Sequence, residues 1–280
     1  MTMAGSKFDQ SLSDTLTKEA YESIRDYLFK STGIDLGANK MDFLNNRLIR
    51  LQQELQIPTI AELLAALARG DSSVQQAFVN SMTTNKTFFF RESSQIEQLK
   101  ELCAAREKYS NLYIWSAACS TGQEPYSLAM GIHDICQERA HDYKILATDI
   151  DSNVLARSKK GIYGANEVED LSPAQLKQFF LYNQERDLYK VKPEIQQQIK
   201  FRQANLSQDD LNFPIKFDYI FLRNVMIYFD QELQNRIISK MYDQLKPGGI
   251  LFLGASEAIH NEIHRWESVG HSSYKKDEGA

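Results

Sequence analysis

The hydrophobic period changes once along this chain, and the change limits the folds open to it. Up to about residue 85, apolar residues recur at three- and four-residue steps, the spacing of helices with one buried face. In 18–30 the stripe is Ala20, Tyr21, Ile24, Tyr27 and Leu28, and Gly33 stands where a helix C-cap belongs. In 40–55 it is Met41, Leu44, Leu48, Leu51 and Leu55. Pro58-Thr59 opens a third helix carrying Ile60, Leu63, Leu64 and Leu67, and Asp71 precedes a fourth with Val74, Ala77, Phe78 and Met82 inward. No strand signal occurs in this half. From Asn111 onward, β-rich runs at 112–117, 144–150, 217–222 and 250–254 alternate with helical stretches at 124–138, 153–159 and 231–245, and 199–206 supplies a further strand. Such alternation predicts an α/β fold, a parallel sheet covered on both faces. Between 160 and 200 the rhythm breaks: a helix runs from Pro173 through Phe180 and a short strand covers 188–191, which predicts a small inserted subdomain. The domain reading is a helical domain over 1–83, a linker over 84–92 and an α/β domain over 93–280.

Composition narrows the class. With 280 residues, 42% apolar and 25% charged, the chain is long and apolar enough for a real core. A net charge of −5 counts against binding nucleic acid through overall attraction to phosphate. No apolar run approaches the ~20 residues of a membrane span, and residues 1–10 lack an apolar signal core, so a cytoplasmic protein with no membrane insertion is expected. Cys103, Cys119 and Cys136 show no C-x-x-C spacing, as suits a reducing compartment. His260 and His264 lack the H-E-x-x-H arrangement and a third ligand, so no metal is expected.

Four motifs carry the chemistry. Trp115-Ser-Ala-Ala-Cys-Ser-Thr-Gly-Gln-Glu-Pro-Tyr-Ser127 leaves a strand through small residues and enters a helix with Pro125 in its first turn. Small residues admit a ligand close to the backbone, and Glu124 suits an ammonium group. Asp149, ending the next strand, is placed to accept both hydroxyls of a ribose. A plain βα turn with a helix N-terminus accounts for the same loop equally well, since only Gly122 remains of any glycine fingerprint. In Thr83-Thr-Asn-Lys-Thr-Phe-Phe-Phe-Arg-Glu92, the phenylalanines read as glue between the halves, which leaves Asn85, Thr87 and Arg91 unexplained. In Leu222-Arg-Asn-Val-Met-Ile-Tyr-Phe229, Arg223, Asn224 and Tyr228 follow a strand end, where doubly wound sheets bind ligands; the plain alternative is a surface cation and a half-buried aromatic.

Taken together and in this order, with T-D-I-D at 148–151, these motifs resemble the CheR family of chemotaxis receptor methyltransferases over nearly the whole chain. The resemblance implies a class I, Rossmann-like S-adenosylmethionine-dependent methyltransferase domain with a small all-helical N-terminal domain and a small β-subdomain. It implies methyl transfer from S-adenosylmethionine to receptor glutamates, leaving S-adenosylhomocysteine. Carried over residue by residue, it puts the S-adenosyl ligand against Asn85, Thr87, Arg91, Glu124, Asp149, Asn205, Leu206, Arg223 and Asn224, with Arg91 and Tyr228 beside the transferring methyl. It makes Lys40, Arg47 and Arg50 of the second helix a basic receptor-recognition face, the partner being the cytoplasmic domain of methyl-accepting chemotaxis receptors. Gln53 stands where some members carry arginine and Gln123 where many carry glutamate. The 180–190 stretch has no glycine and is shorter than in members that grip a receptor C-terminal pentapeptide, so independence of that tether and a monomeric state are expected. The competing functions are an S-adenosyl-binding signalling module without turnover and a methyltransferase with another substrate. Against nucleic-acid or amine substrates, residues 223–229 lack the N/D-P-P-Y/F motif of many amino-methylating enzymes.

Overall fold

Caps start and stop the helices where the periodic stripes end. A computed structural model describes residues 16–37, 39–208, 211–259 and 266–279; the first ten residues, His260 and His264 lie outside the described residues. The helical unit comprises α1 (Lys18–Thr32), α2 (Met41–Glu54), α3 (Ile60–Ala68) and α4 (Ser72–Met82). Thr17, Thr59 and Asp71 cap the N-termini of α1, α3 and α4 with side-chain oxygens, and Gly33 closes α1 at φ 77°. The stripes meet in a core of their own, with Tyr21, Ile24, Leu28, Leu44, Leu48, Leu63 and Phe78 fully or nearly fully buried.

The second unit begins with α5 (Ser93–Ala105) and continues as β1 (Asn111–Ala117), α6 (Gln123–Arg139), β2 (Asp142–Asp149) and α7 (Ser152–Lys160). Next come β3 (Ile162–Gly164), α8 (Pro173–Phe179), β4 (Phe180–Asn183), β5 (Leu188–Val191), α9 (Pro193–Gln196) and β6 (Ile199–Gln203). The chain then forms β7 (Phe217–Leu222), α10 (Gln231–Gln244), β8 (Leu245–Leu253), β9 (Trp266–Gly270) and β10 (Ser273–Lys276). The main sheet has the order β6-β2-β1-β7-β8-β10-β9. Its first five strands pair in parallel, while β10 runs antiparallel to both its neighbours. Separate cores cover the two faces, one around Ile114, Leu128 and Ile145, the other around Trp115, Ile220 and Ile237. The order reverses between β1 and β7, which opens a crevice outside their carboxyl ends. Strands β3, β5 and β4 make a separate antiparallel sheet within the expected insertion.

Three sequence expectations need correction. The helical stretch of α5 between the halves was not foreseen, though Ile96, Leu99 and Cys103 form its buried face. The last parallel strand, expected over 250–254, begins at Leu245 and takes in Pro247, Gly248 and Gly249, so the helix before it ends at Gln244. The linker phenylalanines do not all act as glue: Phe89 is buried edge-on to Tyr163 and Phe180 of the α/β unit, whereas Phe88 is 43% exposed.

Candidate active site

The turn leaving β1 is tightly wound. Ala118, Ser120 and Gly122 have φ of 85°, 49° and 96°, and the amides of Ala118 and Cys119 both donate to the Thr148 carbonyl at 2.8 Å. Left-handed backbone at non-glycine residues is costly and collects at functional sites. A side chain at Gly122 would meet Ser158 Cβ and Tyr163 Oη at 3.0 Å, so this position requires glycine on two counts. The winding aims the Ser120 amide at Asp149 Oδ2, 2.7 Å away. Ser120 Oγ donates to the Asn85 carbonyl at 3.0 Å, and its own carbonyl accepts Ser158 Oγ at 2.9 Å. One residue therefore joins the β1 turn, the end of β2, the linker and α7.

Two acids face the same space. Asp149 is 8% exposed and also accepts the Asp151 amide at 3.0 Å. Burial pushes its carboxyl up to about 6, against the lowering effect of these amides. Glu124 accepts Ser116 Oγ at 2.7 Å and lies 3.1 Å from Arg223 Nε. Burial raises its carboxyl above the usual range, and the Arg223 guanidinium opposes that rise.

Arg223 is a buried hub. Nη1 donates to Gln95 Oε1 at 3.1 Å, Nη2 donates to the Arg91 carbonyl at 2.7 Å, and Nε also lies 3.7 Å from Glu92 Oε2. Gln95 is itself fixed, donating Nε2 to the carbonyls of Leu253 at 2.7 Å and His271 at 2.6 Å. The planar fork of Arg223 is thus spent inside the protein, holding Glu124 and the backbone of Arg91. The Arg91 side chain is freer: Nη1 donates to the Lys86 carbonyl at 3.2 Å, the guanidinium lies 5.6 Å from the centroid of the Phe88 ring, and it has no ion pair among the described residues. Tyr228 closes a 3-10 turn (Met226–Tyr228), and its carbonyl accepts the Asp35 amide at 2.9 Å, drawing the loop after α1 against the site.

These groups surround a cavity of about 400 Å³ between the helical unit and the sheet, within the ~300–1,000 Å³ range of small-molecule sites. Asn85, Thr87, Arg91, Glu124, Asp149, Asn205, Leu206, Arg223, Asn224 and Tyr228 all line it, as does Lys40. The three asparagines have structural work there. Asn85 Nδ2 donates to Asp151 Oδ2 at 2.8 Å, Asn205 Nδ2 to the Ser31 carbonyl at 2.7 Å, and Asn224 Nδ2 to Glu92 Oε1 at 3.2 Å. The basic residues of α2 separate: Lys40 and Arg50 are exposed, whereas Arg47 is half-buried over the Phe43 ring. Its Nη1 donates to the carbonyls of Ser81 and, at 2.6 Å, Thr83.

Sequence reasoning passed over Ser120, Gln95 and Asp151. Asp151 caps α7, accepting the amides of Asn153 at 2.8 Å and Val154 at 3.3 Å through Oδ1, while Oδ2 accepts Thr83 Oγ1 at 2.8 Å together with the Asn85 amide group. The signal was there: an aspartate directly before a helix reads as an N-cap. The acceptor set suits a cation bearing vicinal hydroxyls, because Glu124 and Asp149 present carboxylate oxygens to one cavity.

Comparison with known proteins follows the same division of the chain. Residues 85–275 match the family model described as "CheR methyltransferase, SAM binding domain", and residues 19–83 match "CheR methyltransferase, all-alpha domain". The "Chemotaxis protein methyltransferase" of Salmonella typhimurium is 36% identical over 262 residues, covering 92% of this chain and 90% of the relative. That of Klebsiella aerogenes is 39% identical over 245 residues, covering 86% and 84%. The "Chemotaxis protein methyltransferase 2" of Pseudomonas aeruginosa is 37% identical over 261 residues, covering 92% and 93%.

Proposed function

The chain belongs to the CheR methyltransferase family, and from that premise we propose that it transfers methyl from S-adenosylmethionine to glutamate side chains of methyl-accepting chemotaxis receptors. The observation that carries this reading is the convergence of Arg91, Tyr228, Glu124 and Asp149 on one cavity from four separate stretches of chain. When bound, S-adenosylmethionine supplies an electrophilic methyl on a sulfonium leaving group. Glu124 would hold its ammonium, and Asp149 its ribose hydroxyls. The substrate glutamate, with an ordinary pKa of about 4.3, is ionised at neutral pH and needs no general base. The work left to the protein is alignment and exclusion of water. Arg91 is suited to orient the incoming carboxylate without clamping it, since among the described residues its guanidinium is anchored by a single hydrogen bond beside Phe88. The Tyr228 hydroxyl is suited to hold the second oxygen.

Lys40 and Arg50, both exposed, suit a helical receptor segment rich in glutamate despite the net charge of −5. Among the described residues no helix is long and apolar enough to cross a membrane; the proposed partner is the receptor's cytoplasmic domain. The β4–β5 hairpin is short, turning at residues 184–187, which supports independence from a receptor C-terminal pentapeptide; measurable calorimetric binding of such a peptide would contradict it. The main test is transfer of tritiated methyl to the cytoplasmic fragments of receptors from the same host, with Arg91→Ala as control. Base-labile label on receptor glutamates, absent with the variant, is expected. Tight S-adenosylhomocysteine binding without label on any receptor removes the substrate assignment.

A further inference from the structure

Glu257 has no place in the chemistry above, yet its carboxylate is among the most heavily engaged groups near the cavity. It lies in the segment after β8, 7% exposed, and does not line the cavity. Oε1 accepts the Met226 amide at 2.9 Å, while Oε2 accepts the amides of Asn224 at 2.8 Å and Gly254 at 2.7 Å. Its own amide donates back to the Gly254 carbonyl at 2.8 Å, which closes the turn that presents the carboxylate. Three amides on one buried carboxylate form a strong, charge-assisted set.

Two local features show what this set holds. Asn224 has φ 55°, a conformation a non-glycine residue keeps only when its surroundings over-determine it. The surroundings here are Glu257 on its amide and Glu92 Oε1 on its side chain. At Gly254, a Cβ would stand 2.5 Å from Asn224 Nδ2 and 2.6 Å from Glu257 Oε2, so the latch closes only over a glycine. The backbone held at 224 and 226 leads directly into the turn whose last residue is Tyr228, with Tyr228 N donating to the Val225 carbonyl at 3.2 Å.

We infer that Glu257 is the positioning residue for Tyr228, fixing the Asn224–Met226 backbone from which the phenol is aimed into the cavity. Lying outside the cavity lining, it acts through Tyr228 rather than on the reacting groups. Its kinetic consequence rests on the methyl-transfer reading; its structural consequence does not.

Glu257→Gln keeps the side chain's shape but sets an amide donor against one backbone N–H. With the oxygen kept on the Asn224 and Gly254 amides, Met226 loses its acceptor. The measurements are amide hydrogen exchange over 224–229, calorimetric affinity for S-adenosylhomocysteine and the rate of methyl transfer, each also with Tyr228→Phe. Exchange in 224–229 is expected to quicken while β7 stays protected. Affinity should stay within about threefold, and turnover should fall by about tenfold, the scale of one lost buried hydrogen bond. In the Tyr228→Phe background the same change should cost less than about twofold, because the two residues act as one unit. Unchanged exchange, or losses that multiply in the double variant, overturns the inference. If Glu257→Gln does not fold, Gly254→Ala presses on the same latch from its other side and should likewise quicken exchange in 224–229 and lower turnover; full turnover there overturns it too. If wild-type enzyme labels no receptor, the substrate reading fails, and the exchange experiment alone decides for or against the latch.

Discussion

Asp149 is under opposite demands from folding and from ligand binding. Its carboxyl is pushed up to about 6 by burial, so the folded protein prefers it protonated more than the unfolded chain does. For a group raised in this way, the stabilisation is whole below its ordinary value near 3.8 and is lost as pH rises through about 6. Two units correspond to about 3 kcal/mol at most. Wild-type stability, measured against Asp149→Asn by urea unfolding without ligand, should therefore fall between pH 4 and pH 7 and level off above. Affinity for S-adenosylhomocysteine should run the other way, rising through pH 6 in the wild type and staying weak and flat in the variant. A wild-type affinity independent of pH from 5 to 7 would remove Asp149 from ribose recognition. Asp149 was legible as a candidate because it ends a strand of a doubly wound sheet, where ligands bind. Glu257 was not legible: it is 33 residues from the amide it holds at Asn224, and nothing local marks a glutamate whose partners are backbone.

At the scale of elements, legibility followed burial. Strand β7 is buried at all six positions and, Asp218 apart, reads as an apolar run. Strands β9 and β10, at the antiparallel edge, are mostly part-exposed, so Trp266–Gly270 and Ser273–Lys276 give no such run. Among the helices, α7 matters most for the site, since its N-cap is also a tether between the units. Asp151 engages the helix amides with one oxygen and Thr83 and Asn85 with the other. Asp151→Ala should lose a cap and two charge-assisted hydrogen bonds, about 2–4 kcal/mol together. Because Asn85 and Thr83 line the cavity, the same change should weaken S-adenosylhomocysteine binding, whereas an ordinary lost cap would lower only the melting temperature. Asp151→Asn, which keeps an acceptor for the helix, should recover much of the stability and less of the affinity. Paired thermal melts and calorimetry on the two variants separate these effects.

Seen as a whole, the molecule is two units sharing one cavity, and segment 81–85 is where they are tied. From the helical side Arg47 donates to the carbonyls of Ser81 and Thr83; from the sheet side Asp151 accepts from Thr83 and Asn85. A polar seam extends the tie, with Asn80 Nδ2 on Ser152 Oγ at 2.9 Å and Gln203 Nε2 on Gln76 Oε1 at 2.6 Å. This arrangement divides Arg47 and Arg50 of α2 by their surroundings in a way their spacing in the sequence does not reveal. Arg50 is exposed, so in the proposed receptor complex it would act as a rim charge, worth under about 1 kcal/mol and screened by salt. Arg47 is half-buried with both carbonyls depending on it, so removing it leaves acceptors near the cavity unpaired, a loss of about 1–3 kcal/mol. Arg50→Gln should accordingly raise the KM for receptor severalfold, more at low than at high salt, and leave S-adenosylhomocysteine affinity unchanged. Arg47→Gln should weaken S-adenosylhomocysteine binding by about tenfold even with no receptor present, because it loosens the segment that carries Asn85. Calorimetry on the two variants without receptor, followed by methyl-transfer kinetics at two salt concentrations, distinguishes them. Equal ligand affinity in both would mean that Arg47 serves the receptor surface alone and that the tie through 81–85 does not reach the cavity.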